Sequence, residues 1–288
     1  LMADEHDRSM MENLYWWGIP TMFRCNNETL NNQDIALVGV PHSTGNGTTE
    51  RDQHLGPRAL RNVSAVHRRA HIDFGIDPWT SAEIIDLGDV PFPRANDNED
   101  CIERITKFFT EIDEAKIKPV SIGGDHSINI PCINAFHDQG DFHILQIDAH
   151  LDFVDERHGV RFGHGNPMRR AAEKQYVKGI SQFGIRNVSS TAKVGYEDAR
   201  AMGSDILSVR QFRKIGPKEA ANRIPKGSVY VTIDIDAFCP SIAPGTGTPS
   251  HGGFLYYDVL ELLQNVSKNN DIIGIDLVEV APAYDQSD

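Results

Sequence analysis

Short apolar runs recur along the chain, with polar or amphipathic stretches between them. Eight of these runs are rich in isoleucine and valine, and they cover residues 35–40, 83–88, 119–124, 142–148, 180–185, 205–209, 229–236 and 272–280. Continuous apolarity over such short runs is typical of strands that are buried on both faces, as in parallel sheets. We therefore predict eight strands.

Amphipathic segments lie between several of these runs. Residues 100–116 and 256–269 have helical spacing of apolar positions, and 216–224 is a shorter segment of the same kind. Strands that alternate with helices predict a parallel α/β sheet covered by helices on both faces. Without internal repeats or linkers, we expect a single domain over 1–288, in which residues 1–33 form an N-terminal extension that packs on the domain or on a neighbouring subunit.

Composition excludes several classes of protein. The chain has 288 residues, 40% of them hydrophobic, and its mean hydropathy is −0.38, as in a soluble globular domain. The formal net charge of −13 repels nucleic acids and anionic membranes, so we expect neither as a partner. No stretch approaches the roughly 20 apolar residues of a membrane span. Four scattered cysteines without CxxC spacing predict a reduced protein of the cytoplasm.

The candidate chemistry begins in the segment "ILQIDAHLDF", residues 144–153. Asp148, His150 and Asp152 alternate with apolar residues at the end of a predicted strand. In an extended segment, side chains at i, i+2 and i+4 share one side, and ligands of parallel α/β sheets gather at the carboxyl ends of strands. The trio indicates half of a metal site. The same D-x-H-x-D motif could also arise by chance on a loop, or from a histidine that a carboxylate holds for structural reasons.

Two further strand ends supply the same kinds of side chain. His126 follows the run 119–124, and Asp234 and Asp236 end the run 229–236. Together with the first trio they amount to four carboxylates and two imidazoles, a set that is strongly unfavourable without bound cations. Nitrogen and oxygen donors with an excess of carboxylates suit Mn²⁺, Ni²⁺, Co²⁺ or Fe²⁺. Six ligands predict two metal ions.

These segments resemble the ureohydrolases, the arginase and agmatinase family. The resemblance rests on "GGDHS" (123–127), "DAHLD" (148–152) and "DIDAFCPSIAPGTGTP" (234–249), and it extends over nearly the whole chain. "APGTGTP" points to the agmatinase and guanidino-acid branch. The resemblance implies the three-layer arginase/deacetylase-like fold with a central eight-stranded parallel sheet, in homo- or hetero-oligomeric trimers or hexamers. It also implies a further C-terminal helix, which we expect to follow residue 288.

The resemblance also implies the metal ligands. The family carries its two divalent ions on residues that match His126, Asp148, His150, Asp152, Asp234 and Asp236. By that match, Asp148 and Asp234 bridge the two ions, His126 and Asp152 complete one of them, and the remaining two residues complete the other. The usual metal of the family is Mn²⁺, with Ni²⁺ in a few members.

The predicted reaction is hydrolysis of a C–N bond in a linear amidine, which releases urea and an amine, or ammonia if the substrate is guanidine itself. Two cations overcome the poor reactivity of water and of the guanidinium carbon. Glu279, at the end of a strand, would bind the small cationic guanidino substrate. Asp152 would also pass a proton to the leaving amine, and His164 is the proton shuttle by resemblance. A loop-capping glutamate and a surface histidine are the alternatives for Glu279 and His164.

Departures from the family pattern leave the substrate open. Cys239 stands where a third aspartate is usual, the loop 41–57 differs in length and charge, and Trp16 and Trp17 precede Gly18. Agmatine, a guanidino acid such as guanidinobutyrate, guanidine, alkylguanidines and biguanides all remain candidates. A one-zinc deacetylase is disfavoured by the six ligands. A non-catalytic subunit of a hetero-oligomeric ureohydrolase is disfavoured because no ligand is lost.

Overall fold

One parallel sheet organises the chain. The computed structural model describes residues 10–11, 14, 16–44, 52–65, 72–73, 75–187 and 191–286. Its strands are β1 Asn26–Asn27, β2 Ile35–Val40, β3 Ile84–Asp89, β4 Lys118–Gly123, β5 Phe142–Ile147, β6 Val177–Phe183, β7 Ser204–Leu207, β8 Ser228–Asp234 and β9 Asp271–Val278. They are ordered β1-β3-β2-β4-β9-β8-β5-β6-β7, and every neighbouring pair is parallel. The last strand in sequence thus lies near the centre of the sheet.

The eight predicted strands are present as β2 to β9, but the predicted count of eight is wrong because the sheet has nine strands within the described ranges. The additional strand, β1, pairs with β3 at the edge of the sheet, and the side chain of Asn27 donates to the carbonyl of Asp86 at 2.7 Å. Both residues of β1 are exposed asparagines. A two-residue polar strand has no hydrophobic pattern, so the sequence could not reveal it.

Helices cover both faces of the sheet. They are α1 Gly56–Val63, α2 Pro78–Ser81, α3 Asn98–Glu114, α4 Asn129–Ala135, α5 Pro167–Ala172, α6 Lys193–Ala201, α7 Val209–Ile215, α8 Pro217–Asn222 and α9 Tyr256–Ser267. The three predicted helices correspond to α3, α8 and α9. No helix within the described ranges has the length and apolar character needed to cross a membrane.

The pleat of the strands separates two cores. Ile144 of β5 faces the core that contains Phe109 of α3, whereas its neighbour Leu145 faces the core that contains Phe212 of α7 and Leu262 of α9. This alternation follows from the two-residue period of a strand. Because both faces are buried, the strands read as continuous apolar runs, and the architecture has three layers.

The N-terminal extension contacts the domain in its described part. Met22 and Cys25 are buried, and the backbone N–H of Met22 donates to a carboxylate oxygen of Asp86 at 2.8 Å. Trp16 and Trp17 are exposed. Contact of this segment with a neighbouring subunit stays a prediction, as does the oligomer itself. All four cysteines are free thiols, and the cytoplasmic location also stays a prediction.

The strand order brings four carboxyl ends together. β4, β9, β8 and β5 are consecutive in the sheet, with Ile122 paired to Leu277 and Asp234 paired to Val278. Residues that follow these strands therefore emerge side by side at one edge, although they come from distant parts of the sequence. This edge carries the polar residues that the sequence analysis selected.

Gly124 fixes the turn that leads to His126. A Cβ atom at Gly124 would lie only 1.7 Å from the carbonyl oxygen of His42. The carbonyl of Gly124 accepts from the N–H of Glu279 at 2.9 Å, and its own N–H donates to Val40 at 3.0 Å. The absence of a side chain lets the segments after β2, β4 and β9 approach closely.

We expect Gly124→Ala to lower the free energy of unfolding by at least about 2 kcal/mol, because the added methyl group meets rigid backbone. Urea unfolding of the metal-free protein measures this. The control is Gly165→Ala, since a Cβ atom there meets nothing within 4 Å and should change stability by no more than about 0.5 kcal/mol. Equal free energies of unfolding for the two variants would contradict this prediction, because they would show that the turn accommodates a Cβ atom at Gly124.

Candidate active site

The turns after β5 and β8 position the acidic side chains. The N–H of His150 donates to Oδ1 of Asp148 at 2.6 Å, and the N–H of Asp236 donates to Oδ1 of Asp234 at 2.9 Å. In each turn, Oδ1 of the first aspartate accepts from the backbone N–H two residues later, and Oδ2 lies near Nδ1 of His126. The segment after β5 is therefore a turn rather than the extended continuation that we expected, and Asp152 has a positive φ of 47°.

Four of the predicted ligands form a first cluster around His126. Its Nδ1 atom lies 2.9 Å from Oδ2 of Asp152, 3.2 Å from Oδ2 of Asp148 and 3.5 Å from Oδ2 of Asp234. Potential ligand atoms of the four residues all lie within 4.8 Å of one another. The cluster is buried except for Asp152, which is partly exposed.

A second cluster shares one member with the first. Nδ1 of His150 lies 2.8 Å from Oδ2 of Asp236 and 3.6 Å from Oδ1 of Asp148. Asp148, His150 and Asp236 offer ligand atoms within 4.8 Å of one another. Two ligand sets joined by the Asp148 carboxylate have the composition that a pair of divalent ions needs. In this geometry Asp234 belongs to the first cluster only.

The clusters adjoin a cavity of about 310 Å³. Three of their residues, His150, Asp152 and Asp234, line it, together with Glu279, which follows β9 and is buried. His164, the predicted proton shuttle, lines the same cavity. All the residues predicted for the site are therefore neighbours at one edge of the sheet.

Comparison with known proteins agrees with this geometry. The family model of the arginase family matches residues 33–288. The chain belongs to the arginase family. It is 33% identical over 259 residues to the guanidinopropionase of Pseudomonas aeruginosa, covering 87% of this chain and 80% of that protein. It is 34% identical over 262 residues to the mitochondrial agmatinase of Gallus gallus, covering 88% and 76%.

Solved structures give the same answer for the fold of this arginase-family chain. The proclavaminate amidino hydrolase of Streptomyces clavuligerus superimposes with a TM-score of 0.85 at 29% identity, covering 95% of this chain and 92% of that one. The predicted ureohydrolase family, in its agmatinase and guanidino-compound branch, is confirmed. The predicted enzyme class, a hydrolase of C–N bonds in linear amidines, and the three-layer fold are confirmed with it. Family membership and the paired clusters together imply a binuclear divalent metal centre.

His126 is oriented by buried residues that the sequence analysis did not select. Its Nε2 atom lies 2.9 Å from the hydroxyl of Thr232, which donates to the carboxylate of Asp276. Asp276 also accepts from Tyr230 at 2.9 Å and from Asn129 at 2.9 Å. Because the hydroxyl proton goes to Asp276, Thr232 accepts from Nε2–H, and in the neutral ring Nδ1 keeps its lone pair for a metal ion. In the sequence, the sign of these buried partners is Asp276, an aspartate inside the apolar run 272–280.

A pair of amides lies behind Asp148 in the same way. Nε2 of Gln146 donates to Oδ2 of Asp148 at 2.6 Å, and Nε2 of Gln182 donates to Oε1 of Gln146 at 2.6 Å. Both glutamines are fully buried within strands. Their amides hold the shared carboxylate in place, which is the usual effect of partners one shell away from a metal. In the sequence, the sign of this pair is a single glutamine inside each of two largely buried strands, β5 and β6.

In the absence of metal, protons balance the charge of the clusters. Burial alone would lower the pKa of His150, but the carboxylates of Asp236 and Asp148 raise this pKa to about 12. Burial raises the pKa of Asp234 well above its usual range, and the charges of Asp236 and Asp148 act in the same direction. A histidine that ligates metal must be neutral, so metal and proton compete for the same site.

We expect metal uptake to release protons and apparent metal affinity to rise with pH. Folding raises the pKa of His150, so its proton stabilises the metal-free fold fully below pH of about 6.5 and progressively less as pH rises towards about 12. Titration calorimetry with Mn²⁺ in buffers of different ionisation enthalpy measures the released protons.

The control for this measurement is His143→Gln. His143 is a buried histidine outside the clusters, and burial lowers its pKa to about 4. Replacing it should leave proton release unchanged. Metal binding without proton release in the unmodified protein would contradict the protonated state of His150.

Proposed function

We propose that the two clusters hold two divalent ions and that this centre splits a guanidino C–N bond into urea and an amine, or ammonia if guanidine is the substrate. The observation that supports this most directly is the shared carboxylate of Asp148, which belongs to both ligand sets beneath one cavity. The proposed ligands are His126, Asp148, His150, Asp152, Asp234 and Asp236. Mn²⁺ is the proposed metal and Ni²⁺ the alternative, because both accept mixed imidazole and carboxylate donors.

The metal pair, when bound, supplies Lewis-acid activation and lowers the pKa of water to near neutrality. Glu279 holds the guanidinium group at the cavity wall by charge-assisted hydrogen bonds. Burial, followed by the charge of Asp125, raises the pKa of Glu279 to about 8 in the metal-free chain. A cationic substrate beside this carboxylate favours its ionised form, so substrate binding and ionisation reinforce each other.

The chain also provides a route for protons. Asp152 lines the cavity and is partly exposed, so its carboxylate can take a proton that the attacking water loses and deliver it to the nitrogen of the leaving amine. His164 lines the same cavity and is half-buried. We assign it the exchange of protons between the cavity and bulk water.

The charges of the cavity lining bear on the substrate class. Its acidic residues, Asp152, Asp234 and Glu279, are the ones proposed to hold the metals and the guanidinium, whereas the exposed lining residue Arg157 is a cation. A second positive charge on the substrate, such as the ammonium of agmatine, would approach Arg157 without a carboxylate nearby in the described lining. We therefore propose a substrate without a second cation, namely a guanidino acid, an alkylguanidine or guanidine. The name guanidinopropionase of one relative denotes a guanidino acid, although another relative is an agmatinase.

A series of substrates with matched tails tests the tail charge. Guanidinobutyrate, butylguanidine and agmatine differ in the charge of the tail, and guanidine has no tail. We expect kcat/KM for urea release to be about tenfold or more higher for guanidinobutyrate than for agmatine, because like charges repel near Arg157. Enzyme loaded with Mn²⁺ and with Ni²⁺ is run in parallel.

The matched variant for this series is Arg157→Gln. It should reduce the difference between guanidinobutyrate and agmatine and leave turnover of guanidine unchanged. Agmatine as the best substrate would show that the proposed substrate class is wrong. Guanidine as the only substrate would remove the role of Arg157 but keep the proposed reaction.

We expect Asp148→Ala to abolish metal retention and turnover together, because both clusters lose their shared carboxylate. Metal content after dialysis and urea formation are the measurements. Asp113→Ala is the control, since Asp113 is a buried aspartate on α3 that accepts a hydrogen bond from Gln139, far from the cavity. Turnover of Asp148→Ala at the level of the unmodified protein would refute the proposed centre.

A further inference from the structure

We propose that Gln53 is a positioning residue for the guanidinium anchor, because its side-chain amide holds the carboxylate of Glu279 in the orientation that binds substrate. This inference rests on the proposed role of Glu279. Gln53 lies in the loop 41–57, which the sequence analysis found to depart from the family pattern, and none of the motifs included it. Its side chain is only 2% exposed.

A close backbone contact brings Gln53 to the site. The short 3-10 turn Gln53–Leu55 leads directly into α1, which begins at Gly56. A Cβ atom at Gly56 would lie 2.9 Å from the carbonyl oxygen of Gly123 and 3.1 Å from that of Val280. The start of α1 is therefore packed against the end of β4 and against the residue that follows Glu279.

Two protein donors hold the Glu279 carboxylate, one on each oxygen. Nε2 of Gln53 donates to Oε2 at 3.0 Å, and the backbone N–H of His126 donates to Oε1 at 2.8 Å. Each carboxylate oxygen can accept about two hydrogen bonds. Among the residues that the structure describes, one acceptor position thus remains on each oxygen, and a guanidinium presents two parallel N–H groups to such a pair.

The backbone alone does not fix this carboxylate. Glu279 has a φ of 65°, in the left-handed region that non-glycine residues rarely adopt, and its N–H donates to Gly124 at 2.9 Å. Such a conformation persists only where its surroundings define it closely. Three side-chain torsions still separate the backbone from the carboxylate, and the hydrogen bonds from Gln53 and His126 are what restrict them.

The decisive variant is Gln53→Met, which keeps the approximate size and removes the donor. We expect kcat/KM for the best guanidino substrate to fall about 10- to 100-fold, mainly through KM, because a hydrogen bond to a charged group is lost. Metal content should not change, since Gln53 is not one of the proposed ligands and its amide donates to Glu279, which is not one either. Gln53→Glu keeps the size but sets a second carboxylate against Glu279, so it should weaken substrate binding at least as much.

The matched control is Gln33→Met. Gln33 is also a buried glutamine in a loop, and it accepts from the N–H of Asn31 at 2.8 Å and donates to the carbonyl of Thr29 at 3.4 Å. Its loss tests what removal of any buried amide does to the protein. Unchanged KM in this control, together with a raised KM in Gln53→Met, supports the positioning role.

A double-mutant cycle separates this inference from the proposed function. If Gln53 acts through Glu279, then Gln53→Met should cause no further loss in a Glu279→Gln background. Additive losses, or an unchanged KM in Gln53→Met, would overturn the positioning role and leave the Glu279 anchor in place. Unaltered KM in Glu279→Gln alone would instead overturn the anchor. Should Gln53→Met fail to fold, Gln53→Glu takes its place in the same cycle.

Discussion

Mutual repulsion among buried carboxylates is the constraint on which this structure depends. Oxygens of Asp148, Asp152 and Asp234 lie within 3.5 Å of a single imidazole nitrogen of His126. Like charges about 4 Å apart repel by roughly 4 kcal/mol at an effective dielectric constant near 20, which is several times the net value of one hydrogen bond. No ordinary packing term offsets such a cost, so protons or bound cations must, and the rest of the site is arranged to hold the ligands in place for metal ions. The amides of Gln146 and Gln182, and the chain from His126 through Thr232 to Asp276, serve that arrangement.

The sheet and the metal ligands could be predicted because their signals are local. Eight strands are continuous apolar runs, and aspartates placed at i and i+2 directly after such runs are conspicuous. The partners of these ligands, and of the substrate anchor Glu279, could not be predicted in the same way. Thr232 lies 106 residues from His126, and Gln53 lies 226 residues from Glu279. Only the folded sheet shows that these residues meet.

Asp148, His150 and Asp152 converge for a reason that differs from the one their spacing predicts. Their alternation predicts one side of an extended segment, yet β5 ends at Ile147 and the residues lie in a turn. They converge because Asp148 accepts from the backbone of His150 and because β8 presents the same kind of turn beside it. Strand β1 shows the opposite case, since two exposed asparagines pair with β3 without any hydrophobic signal.

The position of β9 has a consequence for the order in which the molecule is made. This last strand separates β4, which leads to His126, from β8 and β5, which lead to the aspartates. During synthesis the two halves of the sheet therefore emerge before the strand that joins them, each with an unpaired inner edge. A chain that lacks β9 has His126 in one half, and Asp148, Asp152 and Asp234 in the other. The cluster around His126 is therefore assembled last, whereas the residues of the second cluster all follow the neighbouring strands β5 and β8.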